Sequence, residues 1–195
     1  MTSPAADPWL SPWLPLLREH AADQPVLELG CGSGHDTATL LAAGLSVVAM
    51  DLSTEAVRQA RDRAPGARFH VQDLRDPWPA DATNLGAAVA SLSLHYFPWH
   101  VTQQLVARIH HTLRPGGMLL CRLNSTDDHH FGASGHPAIE PHYYLVDGQP
   151  KRFFDRADID HLFSSGWRTL SVRSPTIHRY AQPKQIWEIV LESET

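Results

Sequence analysis

The sequence predicts an α/β fold, a single three-layer α/β/α sandwich that takes in residues 1–195. Short apolar runs alternate with segments of helical periodicity, which is typical of βαβ units around a mostly parallel sheet. The first apolar run leads directly into a glycine-rich turn, within Val26–Asp36. A length of 195 residues suffices for one domain with a buried core and is short for two.

The composition is that of a globular protein without a nucleic-acid footprint. Apolar residues make up 43% and charged residues 19% of the chain, close to globular averages. The formal net charge is −5, and acids and bases are mixed along the chain, so no basic stripe is available for phosphates. Only Lys151 and Lys184 are lysines, a skew that indicates coding bias and to which we assign no function.

We expect the protein to be located in the cytoplasm. We expect it to be a monomer or a homodimer. Cys31 and Cys121 are too few for a disulfide framework. The N-terminus lacks the pattern of a secretory signal, and no stretch approaches the roughly 20 apolar residues that a membrane span needs.

Residues 1–24 are predicted to form a helical segment, and seven strands follow it. Each strand is a short apolar run bounded by turn residues. The predicted strands are Val26–Leu29, Ser46–Asp51, Arg68–Val71, Leu85–Leu92, Met118–Leu123, Thr169–Val172 and Ile186–Leu191.

Helices are predicted between the strands wherever apolar residues recur every three or four positions. Ser53 with Glu55 begins the helix after the second strand. The segment LRPGG, residues 113–117, ends the helix after the fourth strand, and Asp155 with Asp158 begins the last helix.

Residues 124–150 show no convincing periodicity. A loop of that length inside a compact domain is uncommon unless it is functional. We therefore expect an irregular insertion that acts as a lid or a substrate-binding segment.

The glycines after the first strand have distinct predicted roles. Gly30 allows a tight bend out of the strand, Gly32 allows close backbone approach to a ligand, and Gly34 lets a helix pack near the sheet. His35 stands where the dinucleotide fingerprint Gly-x-Gly-x-x-Gly has its third glycine. This departure counts against a nicotinamide cofactor.

Two carboxylates follow the next strands. Asp51 ends the second strand 21 residues after Gly30 (51 − 30), where nucleotide-binding α/β domains place an acid against ribose hydroxyls. Asp73 lies just past the third strand. Ligands bind outside the carboxyl ends of parallel strands, so these residues are predicted to converge on an adenosine pocket.

Four blocks of the chain, in this order and spacing, resemble the class I S-adenosylmethionine-dependent methyltransferases. The blocks are ELGCGSG, VVAMDLS, VQDL and LRPGGMLL. The resemblance covers nearly all of the chain from Val26 onward and implies a Rossmann-like, seven-stranded, mostly parallel sheet with an antiparallel last strand. It implies S-adenosyl-L-methionine as cofactor and S-adenosyl-L-homocysteine as product. Small bacterial enzymes of the tellurite-resistance and thiopurine types look similar in size and simplicity.

The resemblance also implies a set of cofactor-binding residues. Glu28 occupies the family's acidic position before the loop, near the methionine amino group. Asp51 would hold the ribose hydroxyls, and Asp73 with Leu74 would hold the adenine. The implied set is Glu28, Gly30, Cys31, Gly32, Gly34, Asp51, Leu52, Asp73, Leu74 and Ser91.

His95, after the fourth strand, is the candidate general base, and Tyr96 is a candidate orienting group. In the alternative interpretation His95 caps a strand end or bonds a backbone carbonyl. A base is needed only where the acceptor must lose a proton. The candidate substrate-binding residues are Asn124, Asp127, Tyr143 and Arg152.

The predicted function is S-adenosylmethionine-dependent methyl transfer to a small-molecule substrate, with neither nucleic acid nor membrane as partner. The segment SLSLHYF differs from the Asp/Asn-Pro-Pro-aromatic block of enzymes that methylate nucleic-acid amino groups. A nicotinamide-dependent oxidoreductase and a non-catalytic S-adenosylmethionine-binding module remain alternatives. The histidines of the 124–150 segment match no standard zinc spacing, so we expect no metal.

Overall fold

The computed structural model describes residues 8–80 and 82–194. Residues 1–7 of the predicted N-terminal helical segment lie outside this part. A 3-10 turn at Ser11–Trp13 leads into the first of five described helices. The helices are α1 Leu14–Ala21, α2 His35–Ala42, α3 Thr54–Arg63, α4 Trp99–Thr112 and α5 Arg156–Leu162.

Eleven strands form two sheets in the described residues. They are β1 Val26–Leu29, β2 Val47–Asp51, β3 Arg68–Val71, β4 Leu85–Ser91, β5 Leu113–Asn124, β6 Ala138–Glu140, β7 Tyr143–Val146, β8 Gln149–Arg152, β9 Trp167–Arg173, β10 Thr176–Ile177 and β11 Lys184–Ser193.

The large sheet has the strand order β10-β11-β5-β4-β1-β2-β3, and β9 also pairs with β11. Pairing is parallel from β3 to β5, and β11 is antiparallel to β5 and β9. The predicted mostly parallel sheet with an antiparallel last strand is therefore confirmed. The additional strand β10 spans two residues, too few to show a period in sequence.

Helices cover both faces of this sheet. Val26 belongs to the same buried cluster as Leu17 of α1 and Leu40 of α2. Its neighbour Leu27 belongs to the cluster that includes Leu105 of α4. Successive strand residues point to opposite faces, so a strand covered on both sides is apolar throughout. The three-layer sandwich follows from this double burial.

The polar signals at the helix starts act as predicted. The Ser53 hydroxyl accepts a hydrogen bond from the Ala56 amide at 3.2 Å, so Ser53 caps α3. Asp155 and Asp158 form a reciprocal capping box at the start of α5. These caps satisfy amides that have no partner within the helix.

Residues 138–152 form a small antiparallel sheet, β6-β7-β8, which corrects the expectation of an irregular segment at 124–150. Asp147 and Gly148 connect β7 to β8 with φ values of 50° and 78°. An Asp-Gly pair with positive φ at both positions is typical of a two-residue hairpin turn. The Asp-Gly pair is visible in the sequence, whereas strands of three or four residues are too short to show a period.

Candidate active site

A cavity of about 1220 Å³ lies beyond the carboxyl ends of β1, β2, β3 and β4. The strand order reverses here, because β2 lies on one side of β1 and β4 on the other. Parallel sheets bind ligands at such a point, since the loops diverge and leave a crevice. Nine of the ten cofactor-binding residues implied by the resemblance line this cavity, all except Gly34.

The glycine loop enters the cavity from β1. Gly30 has φ +76°, and a Cβ at this position would overlap the Cβ of Ser93. Gly32 has φ +52°, and no atom lies within 4 Å of the position that its Cβ would take. At Gly34 a Cβ would lie 2.9 Å from Ala60. Gly34 therefore lets α2 approach helix α3, and it does not line the cavity, so its role in cofactor binding stays a prediction.

Asp51 connects the end of β2 to the glycine loop. Its two carboxylate oxygens accept hydrogen bonds from the amides of Gly32 at 2.8 Å and Ser53 at 2.9 Å. Asp73, past β3, is paired with Arg75 at 2.6 Å, and this hydrogen bond holds the pKa of Asp73 below its usual value. Both acids line the cavity, and Asp73 is ionised there at neutral pH.

Glu28 is the buried acid of the cavity, with 3% of its surface exposed. It accepts a hydrogen bond from the Thr37 hydroxyl at 2.5 Å. Burial raises the pKa of Glu28 to about 8, and the nearby Asp36 and Asp51 charges add to this rise. Glu28 is therefore mostly protonated at neutral pH, and a cationic ligand group would favour its ionised form.

His95 and Tyr96 follow β4 and line the same cavity. Their ring centroids lie 4.1 Å apart. His95 is buried, and its Nδ1 has no hydrogen-bond partner. Burial lowers its pKa to about 3, and repulsion from Lys184 and Lys151 contributes. The imidazole is neutral at pH 7, so it is in the form that a general base requires, and the role itself remains a prediction.

Two of the four predicted substrate-binding residues reach the cavity. Asn124 ends β5, is 1% exposed, and has an unpartnered side-chain oxygen. The Tyr143 hydroxyl donates to the Tyr96 carbonyl at 3.0 Å, which fixes the β6-β7-β8 sheet against the segment after β4. Asp127 is exposed and does not line the cavity.

Arg152 does not line the cavity either, and its role in substrate binding stays a prediction. The side chain is 3% exposed and pairs with Glu140. Its guanidinium lies 5.5 Å from the ring centroid of Trp99 and 4.8 Å from that of Tyr143. Arg152 therefore fastens the small sheet to the domain, which is a structural role.

Several cavity residues were missed at the level of sequence, and two of them are the lysines of the chain. Lys184 begins β11 and is paired with buried Asp128 at 2.5 Å. Lys151 lies on β8 and is partly exposed. The available signal was the rarity of lysine, which we had attributed to coding bias.

One group of side chains has ligand atoms close enough for a metal ion. His142, Asp155 and Asp158 place such atoms within 4.8 Å of one another. His142 Nδ1 lies 2.7 Å from a carboxylate oxygen of Asp158, and the two aspartates form the capping box of α5. These contacts account for the cluster without an ion. None of the helices described here is both long and apolar enough to cross a membrane.

Residues 26–117 match a family described as "Methyltransferase domain". Over 95 residues the chain is 33% identical to an uncharacterized methyltransferase of Synechocystis sp., which covers 49% of this chain and 44% of that relative. Over 102 residues it is 37% identical to a trans-aconitate 2-methyltransferase of Variovorax paradoxus, covering 50% and 38% respectively. The matched stretches span less than half the length of these curated relatives.

Solved structures share the fold over nearly the whole chain. A 1,6-didemethyltoxoflavin-N1-methyltransferase of Burkholderia thailandensis, solved with S-adenosylhomocysteine, has a TM-score of 0.70 at 21% identity, covering 96% of this chain and 79% of that one. A methyltransferase of Methanosarcina mazei has a TM-score of 0.72 at 18% identity, covering 92% and 97%. The described residues thus share the fold of these methyltransferases, and residues 26–117, which hold the glycine loop and its acids, are similar to their methyltransferase domain.

Proposed function

We propose that this protein transfers the methyl group of S-adenosylmethionine to a small-molecule acceptor. The observation that carries the proposal is that two sets of residues share one cavity. The glycine loop, Glu28, Asp51 and Asp73 line this cavity, and so do His95 and Asn124. A donor and an acceptor can therefore be held together in a single space, as a transfer reaction requires.

The residues present fit this cofactor. Gly32 leaves open space beside its backbone, so a ligand can approach closely. Asp51 can accept hydroxyl hydrogen bonds at the end of β2. The neutral carboxyl of Glu28 can ionise beside the positively charged amino group of the methionine part, which would repay the cost of its burial. Asp73 and Leu74 would hold the adenine, as the resemblance implies.

When bound, the cofactor supplies a sulfonium whose methyl group is activated toward a nucleophile. It would supply the methyl group together with a leaving sulfur, which would keep the electron pair of the carbon–sulfur bond. The residues of the chain have to align the acceptor and exclude water. Where the acceptor carries a proton, the proposed proton acceptor is the neutral imidazole of His95, which lines the cavity.

We do not infer the identity of the methyl acceptor from the names of the relatives. The matched domain ends at residue 117, before Asn124, Tyr143, Lys151 and Lys184 contribute to the cavity. The relatives named for trans-aconitate make a small acid one acceptor to test. A small molecule remains the proposed class of acceptor, because a net charge of −5 does not favour binding to nucleic acid. A cytoplasmic location and the likeness to tellurite-resistance and thiopurine enzymes stay predictions.

Calorimetry tests the cofactor assignment. S-adenosylmethionine and S-adenosylhomocysteine should bind, and NADH should not. Asp51→Ala should weaken binding by about 10-fold to 100-fold, because at least one hydrogen bond to a charged group is lost. Asp62→Ala is the matched control, since Asp62 is exposed and pairs with Arg58 on α3, outside the cavity.

Three outcomes would contradict parts of this proposal. Binding of NADH alone would favour the nicotinamide-dependent alternative. Equal affinities of the wild type and Asp51→Ala would remove Asp51 from the ribose role. Cofactor binding without release of S-adenosylhomocysteine, across a broad panel of small nucleophiles, would favour the non-catalytic binding module.

A further inference from the structure

Both lysines of the chain line the cavity, although they are 33 positions apart (184 − 151). Lys151 lies on β8 of the small sheet, and Lys184 begins β11 of the large sheet. They are close enough to His95 for each to lower the pKa of its imidazole, and Lys151 also lowers the pKa of Lys184. Lys151, Lys184 and His95 all line this cavity, and we call these three residues the lysine corner.

The charge of Lys184 is already compensated. Its ammonium is paired with Asp128 at 2.5 Å, and both side chains are buried. The Gln185 amide also donates to Asp128 at 3.2 Å, and the ring of Phe131 lies 4.6 Å from the Lys184 ammonium. These contacts fix Lys184 in place and leave no net charge on the pair.

The charge of Lys151 is not compensated in the same way. Within residues 8–80 and 82–194, no hydrogen bond or ion pair of the Lys151 ammonium is found. The acids that line the cavity are Glu28, Asp36, Asp51 and Asp73, at β1, α2 and the ends of β2 and β3. The lysine corner therefore carries the uncompensated positive charge of Lys151. The four carboxyl groups that line the cavity lie on other elements of the fold.

Unpartnered polar atoms that line the same cavity point independently to a ligand. Ser93 Oγ, His95 Nδ1 and Asn124 Oδ1 are buried without a hydrogen-bond partner, and all three residues line the cavity. A buried polar group without a partner costs about 1–3 kcal/mol. The hydroxyl of Ser93 and a ring N–H of neutral His95 can donate to an anion, and the Asn124 oxygen can accept from a hydroxyl or N–H group.

We propose that the methyl acceptor is a small organic acid, whose carboxylate or phosphate group binds the Lys151 ammonium in the lysine corner. This inference rests on the proposed methyl transfer. A cationic acceptor would meet repulsion from Lys151, and a neutral one would leave its charge unused. An anion there gains a charge-assisted hydrogen bond, which is about twice as strong as a neutral one.

The test uses the whole chain saturated with S-adenosylhomocysteine, after cofactor binding has been established separately. Calorimetry measures the binding of succinate, benzoate and phenyl phosphate, each against a neutral partner, namely succinamide, benzamide and phenol. The same six compounds, with trans-aconitate added, are assayed for release of S-adenosylhomocysteine from S-adenosylmethionine. Comparing the binding of the two carboxylates with that of the phosphate ester shows which kind of acid the protein prefers.

We expect at least one acid to bind and its neutral partner not to bind. Lys151→Met should weaken binding of that acid, or raise its KM, by about 10-fold to 100-fold, through loss of one hydrogen bond to a charged group. Lys151→Arg should retain most of the affinity because it keeps the charge. Arg168→Met is the control for net charge, since Arg168 is exposed, pairs with Glu192 and does not line the cavity.

Failure of this inference differs from failure of the proposed function. If neither S-adenosylmethionine nor S-adenosylhomocysteine binds, the proposed function fails. If the cofactor binds and no acid binds more tightly than its neutral partner, or Lys151→Met has no effect, the inference is overturned. A tenfold loss of S-adenosylhomocysteine affinity in Lys151→Met would also overturn it, because the lysine would then serve the carboxylate of the cofactor.

Discussion

The substitution Gly30→Ala separates two reasons for a glycine in the cofactor loop. The residue has φ +76°, and a Cβ would overlap the Cβ of Ser93. A left-handed conformation costs an L-residue about 1–2 kcal/mol, and overpacking costs about 1–3 kcal/mol more. The free energy of unfolding should therefore fall by about 2–5 kcal/mol, which lowers Tm by about 5–15 °C for a domain of this size.

Gly116→Ala is a matched control for the cost of placing alanine in a left-handed backbone conformation. Gly116 also has φ +76°, and no atom lies within 4 Å of the position of its Cβ. It should lose only the conformational cost of about 1–2 kcal/mol. Urea unfolding of both variants, together with Ser93→Gly and the double variant Gly30→Ala/Ser93→Gly, isolates the overlap. Equal losses for Gly30→Ala and Gly116→Ala, or no coupling with Ser93→Gly, would refute the reasoning.

Two further predictions concern the buried ionisable side chains of Glu28 and Lys184. Burial raises the pKa of Glu28 from 4.5 to about 8, so its stabilising contribution is complete below pH 4.5 and is lost as the pH rises toward 8. Urea unfolding from pH 5 to 8 should show the wild type losing stability relative to Glu28→Gln, and a difference that does not change with pH would contradict this. Lys184→Met leaves the Asp128 carboxylate buried without its cation and should cost about 3–5 kcal/mol in the same assay. Adding Asp128→Asn should recover part of that loss, and a double variant no more stable than Lys184→Met would show that the pair is not the cause.

The sequence was sufficient for the central sheet and for the strand-end residues that line the cavity, because the signals there are local. Alternation of apolar runs and helical segments predicted the strands from β1 to β5, and β1 and β3 have the predicted bounds. Gly30 and Gly32 line the cavity, and Asp51 and Asp73 lie at strand ends, where parallel strands bring their loops together. For Gly34 the local sequence does not show which residue it packs against, because its neighbour Ala60 lies on a helix that is distant in the chain.

The acceptor part was harder to predict because it is built from segments far apart in sequence. The strands of the small sheet are three or four residues long, too short to show alternation. The Asp-Gly turn at residues 147–148 was the one local signal, and a turn predicts a hairpin without saying what the hairpin covers.

What the sequence by itself determined is the class of the domain and the position of its glycine loop, since strand period, turn glycines and strand-end acids are properties of short stretches. Only the tertiary structure decided which neighbouring side chain faces the cavity. Lys151 and Arg152 are adjacent on β8, yet Lys151 lines the cavity and Arg152 is buried against Glu140. Successive strand residues point to opposite faces, so a shift of one register position would exchange their roles. That register is set by pairing between β7 and β8 and by packing of the small sheet against the rest of the domain. Neither of these is contained in a local sequence pattern.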